Sequence, residues 1–233
     1  MTLLLSTLVC GVGCMLLRLV MMVSGCDETG MLRSGQMVVT LCWILTAVYL
    51  GTLGWFIRDL GGERAAYARL FPVSRLCGGM GVLAGGLLAL WSVTLTGLIP
   101  VAAGVLAGVC MIFTGVCRMT GRRPSYWFHF VLCVYFIYRL ISGYRGWSTD
   151  PQLQDYAFQM LACVALMLAA YYRAAADAGT VRRRMLAYTC LAAGFLCIVC
   201  LSDPEMPVYY GACGLWALSS TGNLDPIRGS ARE

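Results

Sequence analysis

The chain has 233 residues, 60% of them hydrophobic and only 12% charged, with 17 basic residues, all arginine, and a formal net charge of +6. A water-soluble domain of this length carries about twice that share of charge, and its core needs only about half its residues apolar, so the composition argues against a soluble fold and makes the lipid bilayer the first expected partner. The charges also fall in short clusters between uncharged runs, each close to the ~20 residues that cross a hydrocarbon core of ~30 Å.

From the amino terminus, Met1 to Leu17 is apolar, with no positive segment before it and no small-residue cleavage pattern. It reads as a first span rather than a removable signal. The most informative run is Leu76 to Cys117, 42 residues without a charge. As one helix it would be about 63 Å long at 1.5 Å per residue, twice the membrane core. It is therefore two helices and a tight turn, marked by Gly97, which permits the bend, and Pro100, which suits a helix's first turn. The expected spans are Leu3–Val23, Gln36–Ile57, Leu76–Thr94, Leu98–Cys117, Tyr126–Tyr144, Gln154–Tyr172, Met185–Leu201 and Pro207–Leu218. The last is short enough to be re-entrant, which would leave seven full crossings. No linker separates two soluble domains, so residues 1–233 read as a single integral membrane domain, an all-α polytopic transmembrane helical bundle of about eight spans.

With eight spans the loops alternate between two sides. One side receives Arg58, Arg64, Arg69, Arg75, Arg118, Arg122, Arg123, Arg173, Arg182, Arg183, Arg184, Arg228 and Arg232, and the other only Arg18, Arg33, Arg139 and Arg145. The positive-inside rule assigns the first side, with both termini, to the cytoplasm and the chain to the cytoplasmic membrane. The opposite side carries Asp27, Glu28, Asp150, Asp155, Asp203 and Glu205. The basic clusters are thus topology signals first, with contact to anionic lipid as a secondary role, and they argue against nucleic acid as a partner.

The fifth span, the loop after it and the sixth span concentrate polar groups. Asp150 before Pro151 is a natural helix start, because aspartate caps orphan amides and proline takes the first helical position. Arg139 then lies about 7 Å inside the end of span five and Asp155 about 6 Å inside span six, matched in depth on antiparallel neighbours. Gln152, Asp155 and Gln159 recur at helical spacing on one face. Arg18 sits at similar depth in span one. A charge in a span costs several kcal/mol unless it is paired, solvated or snorkelled. One reading is an outward-facing pocket for a small anionic solute or ion, with Arg18 and Arg139 as cation points, Asp155 as partner or proton carrier, and Tyr138 and Trp147 at the rim. The other is an Arg139–Asp155 ion pair that fixes packing, with Arg18 snorkelling and the aromatics forming an interfacial belt.

His129, the one histidine, lies near the inner end of span five with no carboxylate evident at its depth, so it reads as a packing residue and not a relay or metal ligand. Cys197-x-x-Cys200 near the outer end of span seven, with Cys26 in an outer loop, would suit a thiol relay. Thirteen cysteines make such a spacing easy to reach by chance, and most of them read as small apolar packing groups. Gly81-x-x-x-Gly85 and Gly104-x-x-x-Gly108 allow close helix approach. There is no Walker motif, zincin helix or serine elbow, so no metal, cofactor or hydrolytic centre is expected.

The segment Tyr144 to Phe158, with Arg145-Gly146-Trp147-Ser148, Asp150-Pro151-Gln152 and Asp155-Tyr156, resembles one in uncharacterised multi-pass membrane proteins of Gram-positive anaerobes. The likeness covers spans five and six, about a fifth of the chain, and implies no activity or site. The functional expectation is a small-solute or ion transporter, or an accessory subunit of one, and not an enzyme. The alternatives are a non-catalytic sensory or assembly protein with a membrane-protein partner, and a membrane thiol oxidoreductase using Cys197 and Cys200.

Overall fold

A chain in lipid has no water to satisfy its backbone, so the uncharged runs close their hydrogen bonds internally as helices. A computed structural model describes residues 2–24, 37–58, 67–147 and 156–224, and every regular element among them is helical. In order these are α1 (Thr2–Ser24), α2 (Met37–Arg58), α3 (Tyr67–Leu70), α4 (Arg75–Val93), α5 (Leu98–Thr120), α6 (Tyr126–Trp147), α7 (Ala157–Ala178), α8 (Arg183–Cys200) and α9 (Pro207–Ser219). Seven of them, α1, α2 and α4 to α8, are long and apolar enough to cross a membrane. The ends that carry Arg58, Arg75, Arg118, Arg173 and Arg183 are called the arginine-rich end below.

Helix α1 shows the inside-out logic of such a bundle. Leu5, Val9, Val12 and Leu16 form an exposed apolar stripe, whereas Thr7, Gly11, Cys14, Arg18 and Met21 are buried. Both stripes advance by three or four residues, as opposite faces of one helix must. Tyr49 of α2 donates its hydroxyl to Thr7 Oγ1 at 2.7 Å, which ties the two helices together.

The expected hairpin between α4 and α5 is present. Gly97 takes φ 103°, a conformation open to glycine, and Pro100 sits in the first turn of α5. The glycine pairs bring these helices into backbone contact. A Cβ added to Gly85 would lie 2.5 Å from the Gly108 carbonyl oxygen, and one added to Gly115 would lie 2.8 Å from that of Gly78. The spaced glycines thus serve close packing within the chain.

Helix α8 is the hub, packed by α1, α2, α7 and α9 and 83% buried over its length, against 22% for α1 and α6. Helix α9 has 13 residues, about 20 Å at 1.5 Å per residue and short of the ~30 Å core. It nevertheless runs from one end layer to the other. Met206, before its first turn, meets Arg139 of α6, and Ser219 at its last turn meets Arg118 of α5. Shielded by α4, α7 and α8, it has little lipid-facing length to match.

The sixth span departs from expectation. The charge pattern predicts its end at Tyr172, before the first charge, but α7 continues to Ala178 and closes on Gly179 in the left-handed conformation. Arg173 and Asp177 lie on its buried face, 2% and 4% exposed, so the charges belong to the helix and not to a loop.

Candidate functional site

Polar groups gather in two layers. At the end opposite the arginine-rich one, the inward stripe of α1 carries Arg18 to 1% exposure. Its guanidinium lies 5.4 Å from the Phe158 ring, which Trp43 stacks upon, and adjoins the Cys200 thiol. Among the described residues its Nε and Nη1 have no acceptor. Arg139 lies against the adjoining rings of Trp91 and Tyr209, at 5.2 and 5.0 Å, and its Nη2 donates to Met206 Sδ at 3.2 Å. Gln159, 5% exposed, donates Nε2 to Oδ2 of Asp203, whose Oδ1 accepts the backbone N–H of Glu205 at 3.0 Å.

The predicted residues are therefore distributed unevenly. Arg18 and Arg139 are both held inward, but by different aromatic groups. Gln159 finds a carboxylate that sequence reasoning had left in an outer loop, Asp203. Tyr138 is half-buried. Gln152, Asp155 and Cys26 lie outside the described residues, as does the side chain of Trp147. The expected Arg139–Asp155 contact is thus not described, and Arg139 is instead seen with aromatic and thioether partners.

Magnitudes separate the two arginines. A guanidinium costs about 2.5–3.5 kcal/mol or more at mid-membrane, an upper bound for an end layer, and a cation–π contact returns about 0.5–2 kcal/mol. Two rings and a thioether go far toward offsetting the cost at Arg139. One ring and one thiol leave Arg18 short, and two of its N–H groups open.

At the arginine-rich end the structure assembles a constellation that the sequence reading missed. His129 Nδ1 and Asp177 Oδ2 are 2.6 Å apart, with side chains 1% and 0% exposed. His129 is three residues into α6 and Asp177 one residue from the end of α7, so the depth comparison applied to Arg139 and Asp155 pairs them once α7 is given its true length. Arg118, Arg173 and the indole of Trp216 adjoin them around a small cavity. The arginines also clamp chain. Arg118 Nη1 donates to the Ser219 carbonyl, and Arg183 donates Nε and Nη2 to the Asn223 carbonyl at 3.1 and 2.6 Å. The Asn223 N–H reaches Leu70 O at 2.8 Å. Arginines read as loop charges therefore bind the end of α9 and the stretch after it, which in turn reaches the end of α3. Burial raises the pKa of the Tyr67 hydroxyl, with Arg173 and Arg118 acting the other way.

Cys197 and Cys200 are free thiols, each 0% exposed, on the hub helix. An incoming thiol or disulfide has no access to either. No group of three or more metal-ligating side chains occurs among the described residues. The chain matches no protein-family model, no curated protein and no solved structure.

Proposed function

We propose that this multi-pass membrane protein binds and translocates a small anionic solute or ion, by itself or as the accessory subunit of a carrier, through a polar site built on Arg18, Arg139, Gln159 and Asp203. The observation that carries the reading is Arg18, a guanidinium 1% exposed inside a membrane bundle with two N–H groups lacking an acceptor among the described residues. A cation kept at such cost, on the inward stripe of a helix whose opposite face is mostly apolar, suits a transient negative partner. Gln159 and Asp203 supply a neutral donor and a carboxylate in the same layer. The arginine-rich end faces the cytoplasm in this proposal, as the distribution of 13 arginines against 4 argues, in the cytoplasmic membrane.

The test is flux in proteoliposomes. Arg18→Gln should reduce uptake of a small-anion panel at least tenfold while the variant still inserts and elutes as wild type does. Unchanged uptake in Arg18→Gln and in Arg139→Gln would remove the site. The second reading, a non-catalytic assembly protein, draws support from Arg139, whose aromatic and thioether partners already suit a packing role. It requires a co-purifying membrane partner and tolerance of both substitutions. The thiol oxidoreductase reading finds no support in the burial of Cys197 and Cys200.

A further inference from the structure

At the arginine-rich end, α4, α5, α6, α7 and α9 line a small, partly open cavity of about 10 Å³, close to the least space that holds one water. Two guanidiniums line it, with Arg173 2% and Arg118 8% exposed. Both rest on the ring of Phe71, at 3.4 and 5.3 Å from its centroid. The fold thus brings two like charges to one ring in a buried setting. Among the described residues, Arg173 Nε and Nη1 and Arg118 Nε have no acceptor. The one carboxylate nearby does not serve them. Asp177 engages His129, and no arginine nitrogen lies within 4 Å of it. Thr114 and Ser219, also in the lining, give their hydroxyl protons to carbonyls of their own helices. The unpaired donors beside the cavity are therefore arginine N–H groups, which a small turn of the guanidiniums would bring into it.

We propose that this cavity is a binding site for a small monovalent anion of halide size, held between Arg118 and Arg173. A water would accept from one or two N–H groups but would leave a net positive charge, since Asp177 offsets only one of the two guanidiniums, whereas a monovalent anion both accepts and compensates. A cation is repelled by the two guanidiniums, and the space must widen slightly for a halide but far more for phosphate or a larger oxyanion. The site goes beyond the transport reading and does not depend on it, since it shares no residue with the Arg18 layer. Its consequence is structural. The ion bridges α5 to α7 where Arg118 also holds the last turn of α9, so occupancy locks the arginine-rich end.

The experiment compares thermal unfolding of the purified full-length protein in sodium chloride, sodium bromide and sodium gluconate at equal ionic strength. The wild type should unfold several degrees higher in either halide than in gluconate, because a ligand that binds only the folded state raises its stability. Arg173→Gln should abolish the difference, and Arg122→Gln, which removes an exposed arginine at the same end, should keep it. Bromide-soaked crystals of the wild type should show anomalous density within hydrogen-bonding reach of Arg173 Nε, a readout that survives if Arg173→Gln does not fold. An unfolding temperature indifferent to halide, a halide effect retained in Arg173→Gln, or a cavity that holds water without bromide density would overturn the proposal. Halide stabilisation in a protein with no anion flux would retire the transport reading alone.

Discussion

His129 and Asp177 illustrate what a single contact decides. Neither carries an obvious motif, and 48 residues separate them, yet their side chains meet at 2.6 Å with almost no exposure. A buried polar group left without its partner costs about 1–3 kcal/mol, and more when a charge is stranded. Asp177→Ala should therefore lower unfolding stability by about 2 kcal/mol or more, and Asp177→Asn, which keeps the volume and one hydrogen bond, by less. Denaturant titration of the detergent-solubilised protein measures both, and equal losses would show that space, not the hydrogen bond, matters there. Arg18 makes the complementary case. Its position on the stripe with Thr7, Gly11 and Cys14 directs it inward, and the stripe is legible in the sequence. That it meets Phe158 and Cys200 instead of a carboxylate is not, because those residues come from α7 and α8, far along the chain.

At the scale of elements, the α4–α5 hairpin is the part most completely readable in advance. A charge-free run twice the membrane thickness must fold back, and glycine and proline mark the place. The spaced glycines then decide how close the two helices lie. A Cβ at Gly85 would fall 2.5 Å from the Gly108 carbonyl and 2.8 Å from Ile112 Cγ1. A backbone oxygen has little freedom to yield, so Gly85→Ala should destabilise the protein by about 1–3 kcal/mol. Gly86, on the same helix with nothing within 4 Å of an added Cβ, provides the control. Gly86→Ala should be near neutral, and equal unfolding of the two variants would contradict the close packing. Helix α7 was harder to bound. Ending a span at its first charge is sound when charges face solvent, and it fails where Arg173 and Asp177 turn into the bundle.

For the whole molecule, the central place of α8 governs the chemistry of its thiols. Cys190, Cys197 and Cys200, with Cys213 of α9, are all 0% exposed. They should resist a membrane-permeant maleimide in the folded protein and react fully once it is denatured, as read by mass spectrometry. Rapid modification of Cys197 or Cys200 in the folded protein would reopen the thiol-exchange reading.

The sequence by itself determined that the chain is an all-helical membrane protein, where most of its spans run, and which ends gather the arginines. These follow from one-dimensional quantities, apolar run length and charge position, that lipid constrains directly. It also marked Arg18, Arg139 and Gln159 as groups unsuited to lipid. Only the tertiary structure decided what those groups meet, that α9 runs between the two end layers, and that Arg118, Arg173 and Arg183 are buried anchors as well as basic residues at one end. The reason is physical. In a bundle, a side chain's partners come from whichever helices pack against its face, and that choice rests on contacts such as Gly85 on Gly108 that no single span contains.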